Sequence, residues 1–177
     1  MNSRWYNTHK SFKEPLQDRD WIVNFCSQWE IPISSVISKK MIDTLLELRN
    51  FLSDLIEGIS SQNTIGSEDI NKINKYLMPF LFYRTLKSDG KKYYIEDAIY
   101  GKSNNFIVFE VVSSFIEMIS KYDIKRMKLC QNPECKWAFY DESKNCTRKW
   151  CDNTCATLMK VRKFRQNKSK INKDKTQ

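Results

Sequence analysis

Cys130-Gln-Asn-Pro-Glu-Cys135 and Trp150-Cys151-Asp-Asn-Thr-Cys155 decide how this chain is read. Together they space four cysteines as C-x4-C-x15-C-x3-C. Two close pairs of thiols, separated by a hairpin-sized segment, suit a tetrahedral Zn²⁺ site. Four thiolate ligands leave no open position for water or substrate, so the expected ion is a single structural Zn²⁺. Met127-Lys-Leu-Cys130 reads as a strand entering a knuckle, Pro133 helps the turn, and Trp137-Ala-Phe-Tyr140 reads as the returning strand. Trp137, Phe139 and Trp150 are expected to wall the metal with apolar surface. Cys151 and Cys155 are four residues apart and share a face at a helix start that Asp152 or Asn153 caps. The helix dipole then favours the dianionic tetrathiolate cluster beside it. Lys128, Lys136, Arg148 and Lys149 offset the same charge. A knuckle, a hairpin and a metal-anchored helix make a treble-clef-like plan.

The rest of the chain sets this segment in context. At 177 residues, it has room for one domain, or one domain plus a small appendage. Apolar residues at 41% and aromatic residues at 13% suffice for a core. The opening Met-Asn-Ser-Arg-Trp-Tyr-Asn-Thr-His lacks the apolar region of a secretory signal. The longest apolar run, Phe106-Ile-Val-Phe109, is interrupted by Glu110 and Glu117, far short of a membrane span. A cytoplasmic protein with no membrane partner is expected. Thiols stay reduced in that compartment, and five of the six cysteines lie within 130–155, which argues for metal over disulfides.

Charge is concentrated at one end. Residues 1–120 carry 14 Lys/Arg and 15 Asp/Glu, whereas residues 121–177 carry 16 and 6, a net of +10. Such asymmetry marks a segment that meets polyanions. The plainer alternative is a solubilising tail.

Hydrophobic periodicity predicts a mostly helical first part. Pro15 opens a helix with Leu16, Ile22, Phe25, Cys26 and Trp29 near helical spacing, and Pro32 ends it. Ser38 caps a second helix whose stripe is Met41, Leu45, Leu48, Leu52, Leu55 and Ile59, widened by Ile42 and Ile56. A third starts near Ser67 and buries Ile70, Ile73 and Leu77. Residues 80–99 read as a β-hairpin turning at Lys87-Ser-Asp-Gly90. Ser103 or Asn104 caps a fourth helix with Val108, Val111, Val112, Phe115 and Ile119 on its apolar face. A basic helix from about Asn153 to Gln166 follows the metal site. The fold class is therefore mainly α with a small β-hairpin. The expected organisation is a helical domain at 1–124, a four-cysteine finger with its basic helix at 125–168, and a basic disordered tail at 169–177.

The segment Cys130-x4-Cys135-x-Trp137-x-Phe139-x-Asp141-x-Ser143-x-Asn145-x2-Arg148-Lys149-Trp150-Cys151-x3-Cys155 resembles the CGNR zinc finger family. That family pairs C-x4-C with aromatic, Asp, Ser and Asn positions, then Arg-Arg-Trp-Cys and a closing Cys-Gly-Asn-Arg. The resemblance implies an ABATE domain in front of the finger, described as a stress-induced transcription regulator. Tyr6-Asn7-Thr8, Trp29, Leu48-Arg49 and Ile73-Asn74 agree with it more loosely. The name-giving tetrad is Cys155-Ala-Thr-Leu158 here, so only its cysteine remains. If the family's arginine touches nucleic acid, Arg162 or Arg165 has to replace it.

The function expected from these features is a transcriptional regulator whose finger contacts DNA, with RNA as a variant. Arg148, Lys149, Lys160, Arg162, Lys163 and Arg165 are the candidate contacts. The helical domain would sense a ligand or form a homodimer. The alternative is a zinc-stabilised protein-interaction module without nucleic-acid binding. No enzyme is expected: the metal set is closed, there is no nucleophile–base pair, and the four glycines are isolated. His9 reads as a bystander and Cys26 as a small core residue. Cys146 is either a spare thiol or a substitute ligand, and the resemblance places it outside the metal set. Asp141, Ser143 and Asn145 read as backbone hydrogen-bonding groups around a turn.

Overall fold

The computed structural model describes residues 2–3, 14–33, 37–100 and 106–174, with backbone alone for 97–100 and 169–174. His9, Tyr6-Asn7-Thr8 and the proposed cap at Ser103 or Asn104 lie outside the described residues. Among the described residues, five α-helices and two antiparallel strand pairs fall into two compact units, residues 16–48 with 65–122, and residues 1–15 and 49–64 with 123–177. None of the described helices is long and apolar enough to cross a membrane.

In the first unit, Pro15 opens a 3₁₀ turn, and the Asp18 carboxylate caps helix α1 (Arg19–Gln28) by accepting from Asp20 N and Trp21 N at 3.0 and 3.2 Å. Its end comes before Pro32. The Glu30 amide donates to Ser27 O and the Ile31 amide to Cys26 O, with Glu30 itself at φ 54°, so the chain reverses through a left-handed cap. Ile22 and Cys26 are buried as expected. Trp29 sits at the cap, off the helical stripe, and is 64% exposed.

Helix α2 (Lys39–Gln62) starts where Ser38 Oγ accepts from Met41 N; Met41, Leu45, Leu48, Leu52, Leu55, Ile56 and Ile59 are buried as expected, while Ile42 is half-buried. The helix absorbs Gly58 and stops at Asn63, whose φ of 57° is a left-handed terminator. Helix α3 (Ser67–Leu77) packs against α4 (Phe106–Lys121) and buries Ile73. Of the other two positions expected inside, Leu77 is half-buried and Ile70 is 47% exposed. Despite its valines, α4 is helical, with Ile107, Val108, Val112 and Phe115 buried; the 3.6-residue period overrides β-branching. Strands β1 (Leu81–Ser88) and β2 (Tyr93–Tyr100) pair from Leu81↔Tyr100 to Ser88↔Tyr93. Gly90 takes φ 86° in their turn, where Asp89 Oδ1 gathers the amides of Lys91 and Lys92.

The second unit holds the cysteine-rich segment. Leu52, Leu55, Ile56 and Ile59 of α2 are buried there with Met127. Ser60 Oγ reaches Met127 O at 3.4 Å. A two-pronged ion pair joins Arg49 to Glu14 at 2.7 and 2.8 Å. Strands β3 (Met127–Leu129) and β4 (Ala138–Tyr140) pair in antiparallel register, Met127 opposite Tyr140. Helix α5 (Asn153–Asp174) runs past Gln166, since no Gly or Pro interrupts it.

Candidate metal centre

Sulfur atoms of Cys130, Cys135, Cys151 and Cys155 all lie within 4.8 Å of one another, a spread that fits one tetrahedral ion. Cys146 is not part of that cluster. Each pair is placed by a different local device. Cys130 leaves β3 and Cys135 closes the knuckle, where the amides of Cys135 and Lys136 both donate to Asn132 O at 2.8 and 3.3 Å. Lys136 then takes φ 51°, a left-handed turn position that a residue with a side chain fills at some cost. Cys155 is in the first turn of α5. Its amide donates to Asp152 Oδ1 at 2.8 Å, so Asp152 is the cap and Asn153 is the first helical residue.

The thiols are tuned as a set. Burial pushes Cys135 up to about 11, with Cys130 and Cys155 adding to this and hydrogen bonds from the Trp137 amide and Cys151 opposing it. Burial and the neighbouring Cys135 and Cys130 sulfurs hold Cys151 higher still. Burial also opposes ionisation of Cys130, but hydrogen bonds from the Cys151 and Asn132 amides and from neighbouring thiols outweigh it and bring Cys130 below the ordinary thiol value. One sulfur is thus predisposed to be an anion, while two neighbours resist joining it until a cation is present. Cys130 and Cys155 are buried, Cys135 and Cys151 are half-buried, and Trp137, Phe139 and Trp150 are half-buried as well.

A second polar cluster braces the loop between the cysteine pairs. Asp141 has no exposed surface. Its Oδ1 accepts from Ser143 N at 3.0 Å and from the Ser143 hydroxyl, and its Oδ2 from Lys128 Nζ at 2.6 Å and Arg148 N at 2.9 Å. Burial alone would raise its pKa, yet the donors from Lys128, Ser143 and Arg148 outweigh that and hold the carboxyl well below the usual carboxylate range. Arg126 Nη1 donates to the carbonyls of Asp141 and Ser143, both at 2.8 Å. These bonds make Asp141 and Ser143 turn-organising groups, as their spacing implied.

The candidate cations are used unequally. Arg148 donates from Nε to Trp150 O at 2.8 Å and from Nη2 to Cys151 O, with its guanidinium 5.4 Å from the Phe139 ring. It therefore ties down the second cysteine pair. Arg162 is paired with Glu134 of the knuckle. Lys149, Lys160, Lys163 and Arg165 have exposed side chains.

Two functional residues gave no sequence signal. Asn132 is 1% exposed, donates to Cys155 Sγ at 3.4 Å and accepts from Glu134 N at 3.2 Å. Asn2 brackets β4, donating to Ala138 O at 2.9 Å and accepting from Ala138 N at 2.8 Å. Outer groups that orient metal ligands typically contribute about 10–100-fold in metal affinity. Asn132→Ala is expected to lose a factor in that range, read by competition with a chromophoric chelator. An unchanged constant would assign Asn132 to turn geometry alone.

No curated protein matches this chain. Residues 126–168 match the family described as CGNR zinc finger, the stretch that holds all four clustered cysteines, the hairpin and the first turns of α5. The knuckle, the short strand pair and the cysteine-bearing helix are therefore the part of the chain that matches the CGNR zinc finger family.

Proposed function

We propose that the protein is a non-enzymatic, zinc-stabilised nucleic-acid-binding regulator. Cys130, Cys135, Cys151 and Cys155 hold one Zn²⁺, and the donor set fits it. Four sulfurs at tetrahedral spacing suit a d¹⁰ ion that prefers thiolate. The bound ion would fix the second cysteine pair and the start of α5 against the knuckle. The observation that carries the nucleic-acid reading is the convergence of this site with the net +10 of residues 121–177. Arg148, Lys149, Lys160, Arg162, Lys163 and Arg165 are the cations from which phosphate contacts are drawn. The part of the chain before the finger, similar to an ABATE domain, would sense a ligand or pair two copies in the cytoplasm.

Salt titration of duplex DNA binding tests this. With about six phosphates neutralised, log K should fall against log salt with a slope of roughly −5. No binding at low salt, or a flat response, would reject it.

A second reading, docking of a protein partner, draws on Val161 and Phe164 of α5, which are 40% and 69% exposed. A stoichiometric protein complex that survives charge reversal of Arg162, Lys163 and Arg165 favours that reading over DNA.

A further inference from the structure

A cleft of 420 Å³ opens beside the knuckle within the finger's own unit. Five cations line it, Lys125, Lys128, Lys136, Arg148 and Lys149, against a single carboxylate, Glu57. Concave walls with one sign of charge focus the field and concentrate counter-ions.

The five cations divide by what already holds them. Lys128 is committed to Asp141 Oδ2, Cys146 O and Arg148 O. Arg148 is committed to the carbonyls of Trp150 and Cys151. These two supply fixed positive charge without a free hand for a ligand. Lys136 lies 3.6 Å from Glu57, and both side chains are exposed, so that pair is weak and readily exchanged. Lys125 and Lys149 are exposed, and among the described residues neither ammonium has an ion pair or hydrogen bond. Their backbones are nonetheless pinned: Lys149 O accepts from Gln131 N at 2.9 Å, and Lys125 N donates to Asp123 Oδ1 at 3.0 Å. Offsetting the thiolates does not explain these two, since neither side chain bonds a sulfur or a knuckle carbonyl. What remains is a pre-built concavity with two to three unspent ammonium groups, the chemistry of a phosphate oxyanion site.

The outer surface of α5 offers less. At about 100° per residue, Lys160 and Lys163 lie about 60° apart, while Arg162 and Arg165 fall on the far side, about 160° and 140° from Lys160. Arg162 is moreover bound to Glu134. Cations spread around a helix cannot all follow one phosphate strand.

We propose that this cleft, rather than the outer face of α5, is where the finger grips the phosphate backbone of its nucleic acid, with Lys125 and Lys149 as the contacting groups and Lys136 joining once Glu57 releases it. The proposal rests on the nucleic-acid reading and sharpens it. Such contacts set register and affinity but carry no base sequence. The shared chemistry is the phosphate oxyanion, which a free polyphosphate also presents.

The test compares the full-length zinc-loaded protein with K125A/K149A and K160A/K163A. Each is titrated over salt with a labelled DNA duplex by anisotropy, and with inorganic tripolyphosphate by amide NMR shifts. Zinc content and melting temperature establish that each variant is folded. The expected result is that K125A/K149A lowers the magnitude of the salt slope by about 2, one per lysine, while K160A/K163A removes less than half as much. Tripolyphosphate should shift the amides of Gln131 and Thr147 in the wild type and not in K125A/K149A. If DNA binds and K125A/K149A leaves the slope unchanged, the cleft proposal fails and the nucleic-acid reading stands. If DNA does not bind but tripolyphosphate still shifts those amides, the nucleic-acid reading fails and the cleft is an oxyanion site for a free ligand. If neither binds, both are overturned.

Discussion

Cys130→Ser is expected to abolish stoichiometric zinc and to unfold the finger, whereas Cys146→Ser should leave both intact. Cys130 is fully buried and its sulfur accepts from Cys151 N at 3.5 Å, so it organises both cysteine pairs. The finger has only two three-residue strands and one helix turn around the cluster, too little burial to stand alone. Structural zinc contributes about 10–16 kcal/mol in finger peptides, several times the stability of a unit this small. Emission from Trp137 and Trp150 should move to its solvent-exposed position in the variant, and a strong chelator should reproduce this in the wild type. Retained zinc and unchanged emission would show that the fold does not depend on Cys130. The same cluster sets a pH dependence. Cys135, pushed up to about 11, and Cys151, held higher, are protonated before metal enters. Zinc binding at neutral pH must therefore release protons, and affinity should fall steeply as pH drops.

Asp141→Ala should cost about 3 kcal/mol, the lower end of the range for removing one partner of a buried ion pair. The low end applies because Lys128 keeps 20% of its side chain in contact with water. Removing the carboxylate leaves the Lys128 ammonium with only the Cys146 and Arg148 carbonyls and strands the Arg148 amide and the Ser143 amide and hydroxyl. The loop that delivers Arg148 to the Cys151 carbonyl would slacken. Denaturant titration at constant zinc measures the loss, and a shift under about 0.5 kcal/mol, the usual surface scatter, would relegate Asp141 to the surface. Because the folded-state pKa is depressed, this stabilisation is complete above the unfolded value of about 4. It disappears as pH falls from there through the folded value.

How much of this was legible in advance follows from the range of each interaction. The cap at the start of α5 and the turns of the knuckle could be read because each is set by residues within a few positions, and the four cysteines because paired thiols at finger spacing mark a metal set by their chemistry alone. The α2 stripe was equally legible, since periodicity records burial directly. Trp29 and Ile70 went astray for a related reason: periodicity places a residue on a face but does not say where the helix stops or how much of that face is covered. Asn132, Asn2 and the Arg162–Glu134 pair were invisible because their partners lie 23, 136 and 28 residues away in sequence. Arg148 was visible as a cation, but its Nε and Nη2 bonds to Trp150 and Cys151 were not.

The Asn2 bracket has a bearing on solution behaviour. A three-residue ladder ends in open amides and carbonyls, and exposed strand edges invite copies of a protein to stack. At Ala138 the side-chain amide of Asn2 fills both the donor and the acceptor slot of β4, as a neighbouring strand would. A stopper only one residue wide thus shields the finger from self-templated growth at this position, without lengthening the sheet.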